Sequence, residues 1–189
     1  AEYRRDFPGL SLDPTYLRAY PEGTTAAQVL GSTGRITPEQ VADYRSRGYS
    51  GNETIGTDGI EQQYERFLAG DPGRAVVEVD AAGEPRGREY VSLDSPVPGR
   101  DIQLSIDLPT QKALESAIAA AADRQGAPGA AGVALDPNTG EVLALASYPS
   151  YSPNVFVNRD PRRISALLDD ERRPLLNRAI GGTYPAAST

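Results

Sequence analysis

Residues 95–99 read Ser-Pro-Val-Pro-Gly and divide the chain into two parts. Two prolines and a glycine within five positions continue neither a helix nor a central strand. Patterns typical of strands lie on both sides of the segment. We therefore predict a domain boundary here, between an N-terminal part (residues 1–95) and a C-terminal part (residues 96–189). Both parts mix helical and strand patterns, so the predicted fold class is α+β.

Apolar residues at helical spacing predict three helices in the N-terminal part. A short helix is expected over residues 24–31, with one of the two threonines at its start as N-cap. Residues 37–40 read Thr-Pro-Glu-Gln, in which the threonine caps a second helix, the proline takes its first position and the glutamine reaches back. A third helix is predicted over residues 58–69. Its apolar face consists of Ile60, Tyr64, Phe67 and Leu68.

Alternating apolar residues predict strands in both parts. Residues 75–79 and 88–92 are expected to pair as an antiparallel hairpin. The C-terminal part is expected to contain a strand at 102–106, a helix capped by Asp107, strands at 133–135 and 142–146 joined by a turn at 136–140, and a helix around 164–168.

The composition excludes several classes of chemistry. With no histidine the chain cannot form a Ser-His-Asp triad or an HExxH zinc site, and with no cysteine it has no disulfide or thiolate nucleophile. A formal net charge of -7 argues against a general nucleic-acid binder. Lys112 is the single lysine, so chemistry that needs a lysine amine must use Lys112 or a residue outside this sequence.

Two acidic patterns raise the possibility of a bound cation. Asp136-x-Asn138-x-Gly140 resembles a calcium loop, but its glycine comes one place early and the closing glutamate is missing, so a hairpin turn is favoured. The acidic run at residues 169–171 is followed at once by two arginines, which favours a solvated and locally neutralised surface. We predict neither a metal site nor a cofactor site.

The segment before the last serine resembles a known nucleophile motif. Residues 177–189 read Asn-Arg-Ala-Ile-Gly-Gly-Thr-Tyr-Pro-Ala-Ala-Ser-Thr. They are similar to the segment that leads into the S-x-x-K motif of class B penicillin-binding proteins. Ala186 and Ala187 stand where proline and glycine are commoner in that family, and the sequence ends two residues before the lysine.

Further matches follow the order of the same family. Residues 136–149 resemble its signature hairpin, and residues 98–111 resemble the entry strand and first helix of its transpeptidase domain. Residues 18–31 and 56–65 resemble two motifs of its non-catalytic, dimerisation-type pedestal domain, although Gln28 stands where histidine is common. An R-G-x-x-x-D-R pedestal motif is absent. The sequences of residues 16–20 and 147–157 are most similar to the cell-elongation branch of the family.

The resemblance implies a D,D-transpeptidase that cross-links peptidoglycan. Ser188 would attack the penultimate D-Ala carbonyl of a stem peptide with a lysine beyond Thr189 as its base, and β-lactams would acylate the same serine. The implied protein partner is a polytopic membrane glycosyltransferase, with no cofactor.

The implied location is the extracytoplasmic side of the cell membrane. No signal peptide or apolar span is recognisable, so the anchor is expected to lie outside this chain. Because the lysine and the later motifs are missing, we expect a segment cut just after Ser188 that is inactive alone. The alternative function is a non-catalytic pedestal or scaffold that binds the glycosyltransferase.

Three residues of the pedestal motifs are candidates for a structural role. Arg18 and Glu61 are charged residues within otherwise apolar motifs. They form either a buried ion pair that holds the pedestal in shape or two unrelated surface charges, and the sequence leaves both open. Tyr64, from the second motif, is the third candidate.

Overall fold

The computed structural model describes residues 17–71, 73–76, 79–82 and 92–183. Within these ranges, helices combine with three two-stranded antiparallel sheets, so the predicted α+β class is confirmed. The predicted boundary segment, residues 95–99, contains neither a helix nor a ladder strand. The position of the domain boundary itself stays a prediction.

The N-terminal part is built from short elements around a small apolar core. In chain order they are α1 (Ala27–Leu30), β1 (Thr33–Arg35), α2 (Val41–Ser46), β2 (Thr54–Gly56), α3 (Gly59–Gln63), α4 (Glu65–Leu68), β3 (Arg74–Val76) and β4 (Ser92–Asp94). Strand β1 pairs with β2, and β3 pairs with β4. The core contains Ile36, Tyr44 and Ile55.

The start of α1 differs from the sequence prediction. Neither Thr24 nor Thr25 is its N-cap; Ala26 takes that position in the left-handed conformation (φ 54°) with no side-chain cap. The backbone N–H of Ala26 donates to Oε1 of Glu115 at 2.7 Å. A carboxylate from a distant helix thus binds the backbone at the start of α1, one residue after the predicted threonine caps.

Two further predictions hold in part. Gln40 Oε1 accepts from the backbone N–H of Thr37 at 3.1 Å, as the capping pattern predicts, but the regular helix begins only at Val41. The antiparallel pairing predicted for residues 75–79 and 88–92 is present as β3 with β4. The part of the second strand before Ser92 lies outside the described residues.

The single helix predicted over residues 58–69 is wrong, because the chain forms two short helices there. The break is at Tyr64, whose backbone leaves the helical region at φ -112° and ψ 16°. Glu65 begins α4, and its Oε2 accepts from the backbone N–H of Gly56 at 2.7 Å. This bond attaches the start of α4 to the end of β2.

The C-terminal part packs a long helix against a hairpin. Its elements are α5 (Leu108–Gln125), β5 (Ala130–Leu135), β6 (Val142–Tyr148), α6 (Asn154–Val157), α7 (Pro161–Leu168) and α8 (Arg178–Gly181). Asp107 caps α5 as predicted, since its side chain accepts from the backbone N–H of Thr110 at 2.9 Å. The predicted strands are β5 and β6, which form an antiparallel pair.

Gln111 attaches α5 to the hairpin. It is fully buried, and its side-chain amide pairs with the backbone of Leu145 in β6. Its Nε2 donates to the Leu145 carbonyl at 3.0 Å, and its Oε1 accepts from the Leu145 N–H at 2.8 Å. Both the nitrogen and the oxygen of this buried amide are therefore hydrogen-bonded.

The strand predicted over residues 102–106 is wrong. Ser105 Oγ donates to the carbonyl of Val142 at 2.8 Å, and the backbone N–H of Asp107 donates to the carbonyl of Leu143 at 2.9 Å. These bonds hold the segment beside β6 without a regular ladder. The alternation of apolar residues therefore predicted more strand pairing than the structure contains.

The turn between β5 and β6 is confirmed as a hairpin turn. Asp136 Oδ1 accepts from the backbone N–H of Asn138 at 2.7 Å and of Thr139 at 3.3 Å. This arrangement is typical of an aspartate that stabilises a turn locally. The helix expected around residues 164–168 is α7, which starts earlier because Asp160 caps it.

Candidate functional site

The predicted nucleophile, Ser188, lies outside the described residues. The segment that leads toward it is described as far as residue 183 and contains α8. Contacts from β6 and from the N-terminal part hold this segment in place.

A buried serine in β6 fixes the start of α8. Ser147 Oγ accepts from the backbone N–H of Arg178 at 2.9 Å and of Ala179 at 3.4 Å. The same hydroxyl lies 3.4 Å from Oδ1 of Asn177, to which it donates. Ser147 thus satisfies N–H groups that a helix start leaves without an intrahelical partner.

Gln28 in α1 reaches across to the C-terminal part. Its Nε2 donates to the carbonyl of Pro149 at 3.1 Å and to the carbonyl of Pro174 at 2.9 Å. Its own backbone carbonyl accepts from Nδ2 of Asn177 at 3.2 Å. The segment before α8 is therefore bonded directly to the N-terminal part at two residues.

Other contacts join the same two parts. The Asn154 amide binds both backbone groups of Tyr20: Nδ2 donates to the carbonyl at 2.8 Å, and Oδ1 accepts from the N–H at 3.0 Å. Lys112 Nζ lies 2.6 Å from Glu22 Oε2, and both side chains are about half exposed. Lys112 therefore lies at the surface, in an ion pair that joins the two parts.

Arg18, Tyr20 and Glu61 form one cluster, called the Glu61 cluster below. Arg18 Nε donates to Glu61 Oε1 at 2.5 Å, and Tyr20 Oη donates to the same oxygen at 3.1 Å. The Glu61 side chain is 8% exposed and the Arg18 side chain 47% exposed. The ion pair considered from the sequence is therefore formed, with a buried carboxylate and a half-exposed guanidinium.

The electrostatics of this cluster follow from its burial and its single carboxylate. Burial alone would lower the pKa of Arg18, but the hydrogen bond and charge of Glu61 outweigh it and raise that pKa. Burial, together with the charge of Glu61, raises the pKa of Tyr20 well above its usual value. Tyr20 is thus a neutral hydrogen-bond donor here, not an acid or a base near neutral pH.

The predicted apolar face of α3 and α4 is partly exposed. Tyr64 is 39% exposed and Phe67 47% exposed, with their rings 6.2 Å apart. The buried Glu61 and half-buried Glu65 point inward instead, and Glu65 Oε1 accepts from Tyr49 Oη at 3.1 Å. Both carboxylates therefore accept hydrogen bonds where they are removed from solvent, Glu61 from a cation and Glu65 from neutral donors. A structural role for Tyr64 stays a prediction.

A cleft of about 480 Å³ separates the β1–β2 pair and α3–α4 from α6 and α7. Glu61 and Glu65 line it together with Arg18 and Phe156, and no residue of α8 does. Both carboxylates accept hydrogen bonds from the surrounding framework, Glu61 from Arg18 and Glu65 from the backbone N–H of Gly56. The cleft therefore lies between the N-terminal part and α6–α7, and none of its described lining residues belongs to residues 174–183.

The acidic run at residues 169–171 is neutralised locally, as predicted. Arg172 Nη2 lies 2.9 Å from Oδ2 of Asp170, and the Asp170 pKa is lowered chiefly by its hydrogen bonds from Arg172. Across the described ranges, no three His, Cys, Asp or Glu side chains are grouped as metal ligands would be. No helix in those ranges has the length and apolar character needed to cross a bilayer.

Two known protein domains match this chain, one toward each end. Residues 1–104 match the Penicillin-binding Protein dimerisation domain, and residues 130–189 match the Penicillin binding protein transpeptidase domain. The chain belongs to the penicillin-binding protein family. The resemblance predicted from the motifs is thus confirmed.

Individual penicillin-binding proteins match along most of the chain. The peptidoglycan D,D-transpeptidase MrdA of Acinetobacter baumannii is 37% identical over 190 residues, which cover all of this chain but 27% of that protein. PBP2 of Pseudomonas aeruginosa, solved in complex with WCK 5153, has a TM-score of 0.67 and 38% identity over 89% of this chain and 32% of that one. PBP2 of Helicobacter pylori, solved in complex with MreC, has a TM-score of 0.64 and 30% identity over 86% of this chain and 28% of that one. This chain therefore spans less than a third of each relative.

Sequence reasoning missed the residues that connect the parts of this penicillin-binding protein segment. Gln28 was visible as a departure from the family motif, and Ser147 as one polar residue between apolar neighbours in a strand. Their partners, Pro174 and Asn177, are far away in the chain, so no local pattern pointed to these contacts.

Proposed function

We propose that this chain is a segment of a peptidoglycan D,D-transpeptidase and that Ser188 is its nucleophile. The observation that carries the proposal is the match of residues 130–189 to the transpeptidase domain. The assignment of Ser188 is supported by the resemblance of residues 177–189 to the segment that leads into the S-x-x-K motif. The base is the lysine expected two residues after Thr189. Serine and lysine three positions apart lie on one face of a helix, within reach of each other.

The proposed reaction has two acyl-transfer steps. Ser188 gives its proton to the lysine amine and attacks the penultimate D-Ala carbonyl, and backbone N–H groups stabilise the resulting oxyanion. The amide bond to the terminal D-Ala then breaks, and that D-Ala leaves as an amine after taking a proton. An amine from a neighbouring stem peptide attacks the serine ester, which restores the hydroxyl and completes the cross-link. A β-lactam is proposed to stop at the ester stage.

Labelling with fluorescent penicillin tests this function. The protein encoded by the complete gene should be labelled stoichiometrically, and its Ser188→Ala variant should not. Ser165→Ala is the matched control, because Ser165 is an exposed serine of α7 whose hydroxyl donates to Oδ2 of Asp169, four positions away, at 3.0 Å.

The 189-residue chain provides a second arm of the same experiment. It should stay unlabelled because it ends before the expected lysine. Labelling of Ser188→Ala, or an unlabelled complete protein, would exclude Ser188 as the nucleophile. Labelling of the 189-residue chain would exclude the need for the lysine.

We also propose a second role, in which the pedestal docks a membrane glycosyltransferase on the extracytoplasmic side. Three exposed apolar side chains of the N-terminal part and the adjoining boundary segment favour it. Tyr64, Phe67 and Val97 are 39%, 47% and 57% exposed, and Phe67 and Val97 line one shallow groove. PBP2 of Helicobacter pylori was solved in complex with another protein, MreC, which supports a protein partner for this chain as well.

A pull-down from detergent with a purified polytopic glycosyltransferase tests the second role. Replacing Tyr64 and Phe67 with serine should abolish capture. Val133→Ser is the control: it also replaces an exposed apolar side chain with serine, in β5 at 49% exposure, and should leave capture intact. Capture that survives the double substitution would exclude this surface as the docking site.

A further inference from the structure

Gln28 uses both hydrogens of its side-chain amide on the C-terminal part. The residue is 5% exposed, and its Nε2 carries two N–H donors. One donates to the carbonyl of Pro149, just after β6, and the other to the carbonyl of Pro174, before α8. Within the described ranges neither carbonyl accepts a backbone hydrogen bond. A buried carbonyl without a partner is costly, so this amide is the group that permits both to be buried.

A second link runs from the backbone of the same residue. The Gln28 carbonyl accepts from Nδ2 of Asn177, whose Oδ1 accepts from Ser147 Oγ. The Ser147 hydroxyl in turn accepts from the N–H of Arg178, the first residue of α8. A continuous chain of hydrogen bonds therefore leads from α1 to the start of α8.

The two links meet the segment before Ser188 at separate points. Pro174 and Asn177 are separated by Leu175 and Leu176, and α8 follows immediately. Pro174 is among the fully buried side chains. Two separated bonds to one rigid partner fix both the position and the direction of a segment, whereas one bond would leave it free to rotate.

We propose that Gln28 is a positioning residue through which the pedestal orients the segment that carries Ser188. The inference rests on the proposed function, because its consequence is a change in the acylation of that serine. Small displacements of a nucleophile are expensive in rate: a misplacement of about 1 Å can cost roughly 10²-fold. Loss of the Gln28 bonds is therefore expected to slow acylation without removing the serine or its base.

Gln28→Glu in the protein encoded by the complete gene is the test. The substitution keeps the size of the side chain and replaces both donors with an oxygen that faces two carbonyls. The rate constant of acylation by penicillin should fall about tenfold or more, while the dissociation constant of the initial penicillin complex stays within a factor of about two. Gln28→His, which restores one donor, should recover part of the rate.

Hydrogen exchange of the backbone amides provides a readout that needs no penicillin. In Gln28→Glu the amides of residues 177–182 should exchange faster, while those in the middle of α5 keep their wild-type rates. Asn177→Asp, which breaks the second link from the other side, should act in the same direction if Gln28→Glu does not fold. Ser150→Ala is the control, because Ser150 Oγ donates to the Thr24 carbonyl (2.8 Å) and joins the two parts without touching the segment before α8.

The outcomes separate this inference from the proposed function. An unlabelled wild-type protein overturns the proposed function, and the exchange experiment then still decides whether Gln28 orders residues 177–182. A labelled wild type with Gln28→Glu acylated at the same rate overturns the positioning role. Exchange that rises equally in α5, with acylation reduced only in proportion to the folded fraction, also overturns it, because Gln28 would then be a general stabiliser.

Discussion

Replacing Glu61 with glutamine removes the one negative charge of the Glu61 cluster while keeping the size of the side chain. The carboxylate accepts two bonds at one oxygen, from Arg18 at 2.5 Å and from Tyr20 at 3.1 Å. Glutamine can still accept there, but the bond from the guanidinium loses its ionic character. We expect the variant to fold with lower stability.

The size of the effect follows from the burial of the two partners. A hydrogen bond to a charged group contributes about 1.5–3 kcal/mol. Arg18 is half exposed and can be rehydrated in the variant, so the expected loss is about 1–2 kcal/mol. For a chain of this length that corresponds to a decrease in Tm of roughly 2–8 °C.

Thermal denaturation of the 189-residue chain, followed by circular dichroism, measures this decrease. Asp43→Asn is the matched control, because Asp43 and Arg47 also form an ion pair (2.6 Å) but their side chains are 57% and 59% exposed. Its loss should be at most about 0.5 kcal/mol. A double-mutant cycle with Arg18→Gln isolates the pairwise coupling. If Glu61→Gln lowers Tm no more than Asp43→Asn does, the Glu61 cluster does not stabilise the N-terminal part.

Three other perturbations test separate features of the structure. Tyr20→Phe should cost about 1 kcal/mol, because its hydroxyl donates within the Glu61 cluster. Tyr151→Phe should cost less in the same melts, because the buried Tyr151 hydroxyl makes no hydrogen bond of good geometry among the described residues; a loss as large as that of Tyr20→Phe would contradict this. Gly59→Ala should lower Tm more than Gly23→Ala, although both glycines have left-handed backbones (φ 55° and 66°). A Cβ at Gly59 would lie 2.6 Å from backbone atoms at the end of α1, whereas a Cβ at Gly23 would have nothing within 4 Å. Equal losses of Tm would refute the close contact. Burial alone would raise the pKa of Glu53, but its backbone hydrogen bonds lower that pKa to about 2. The contribution of Glu53 to the free energy of unfolding is therefore present above pH 4.5 and is lost as the pH falls toward 2. Glu53→Gln should therefore flatten the dependence of Tm on pH between about 5 and 2, and an unchanged slope would show that these bonds do not contribute.

The features that the sequence predicted correctly depend on neighbouring residues. Asp107 as cap of α5 and the turn at Asp136 each involve side chains bonded to backbone groups two or three positions away. The strands β5 and β6 were found for the same reason, because their apolar runs and the turn between them are local.

The features that the sequence predicted incorrectly or missed depend on distant contacts. The start of α1 is met by Glu115, and α4 is held apart from α3 by a bond from Glu65 to β2. The buried face of α3 and α4 was predicted from apolar residues, but Glu61 is buried there because Arg18 and Tyr20 bond it. Most of these partners are separated by tens of positions in the chain, and Gly56 lies nine positions before Glu65, so hydrophobic periodicity does not reveal them.

The central claim is that Ser188 is the penicillin-reactive nucleophile of a transpeptidase. The most direct test is peptide mass mapping of the protein encoded by the complete gene after incubation with penicillin. We predict one adduct of the mass of penicillin, located on Ser188, in a peptide whose sequence continues past Thr189 with any residue and then lysine. An adduct on another residue, or a gene without that lysine, would contradict the account.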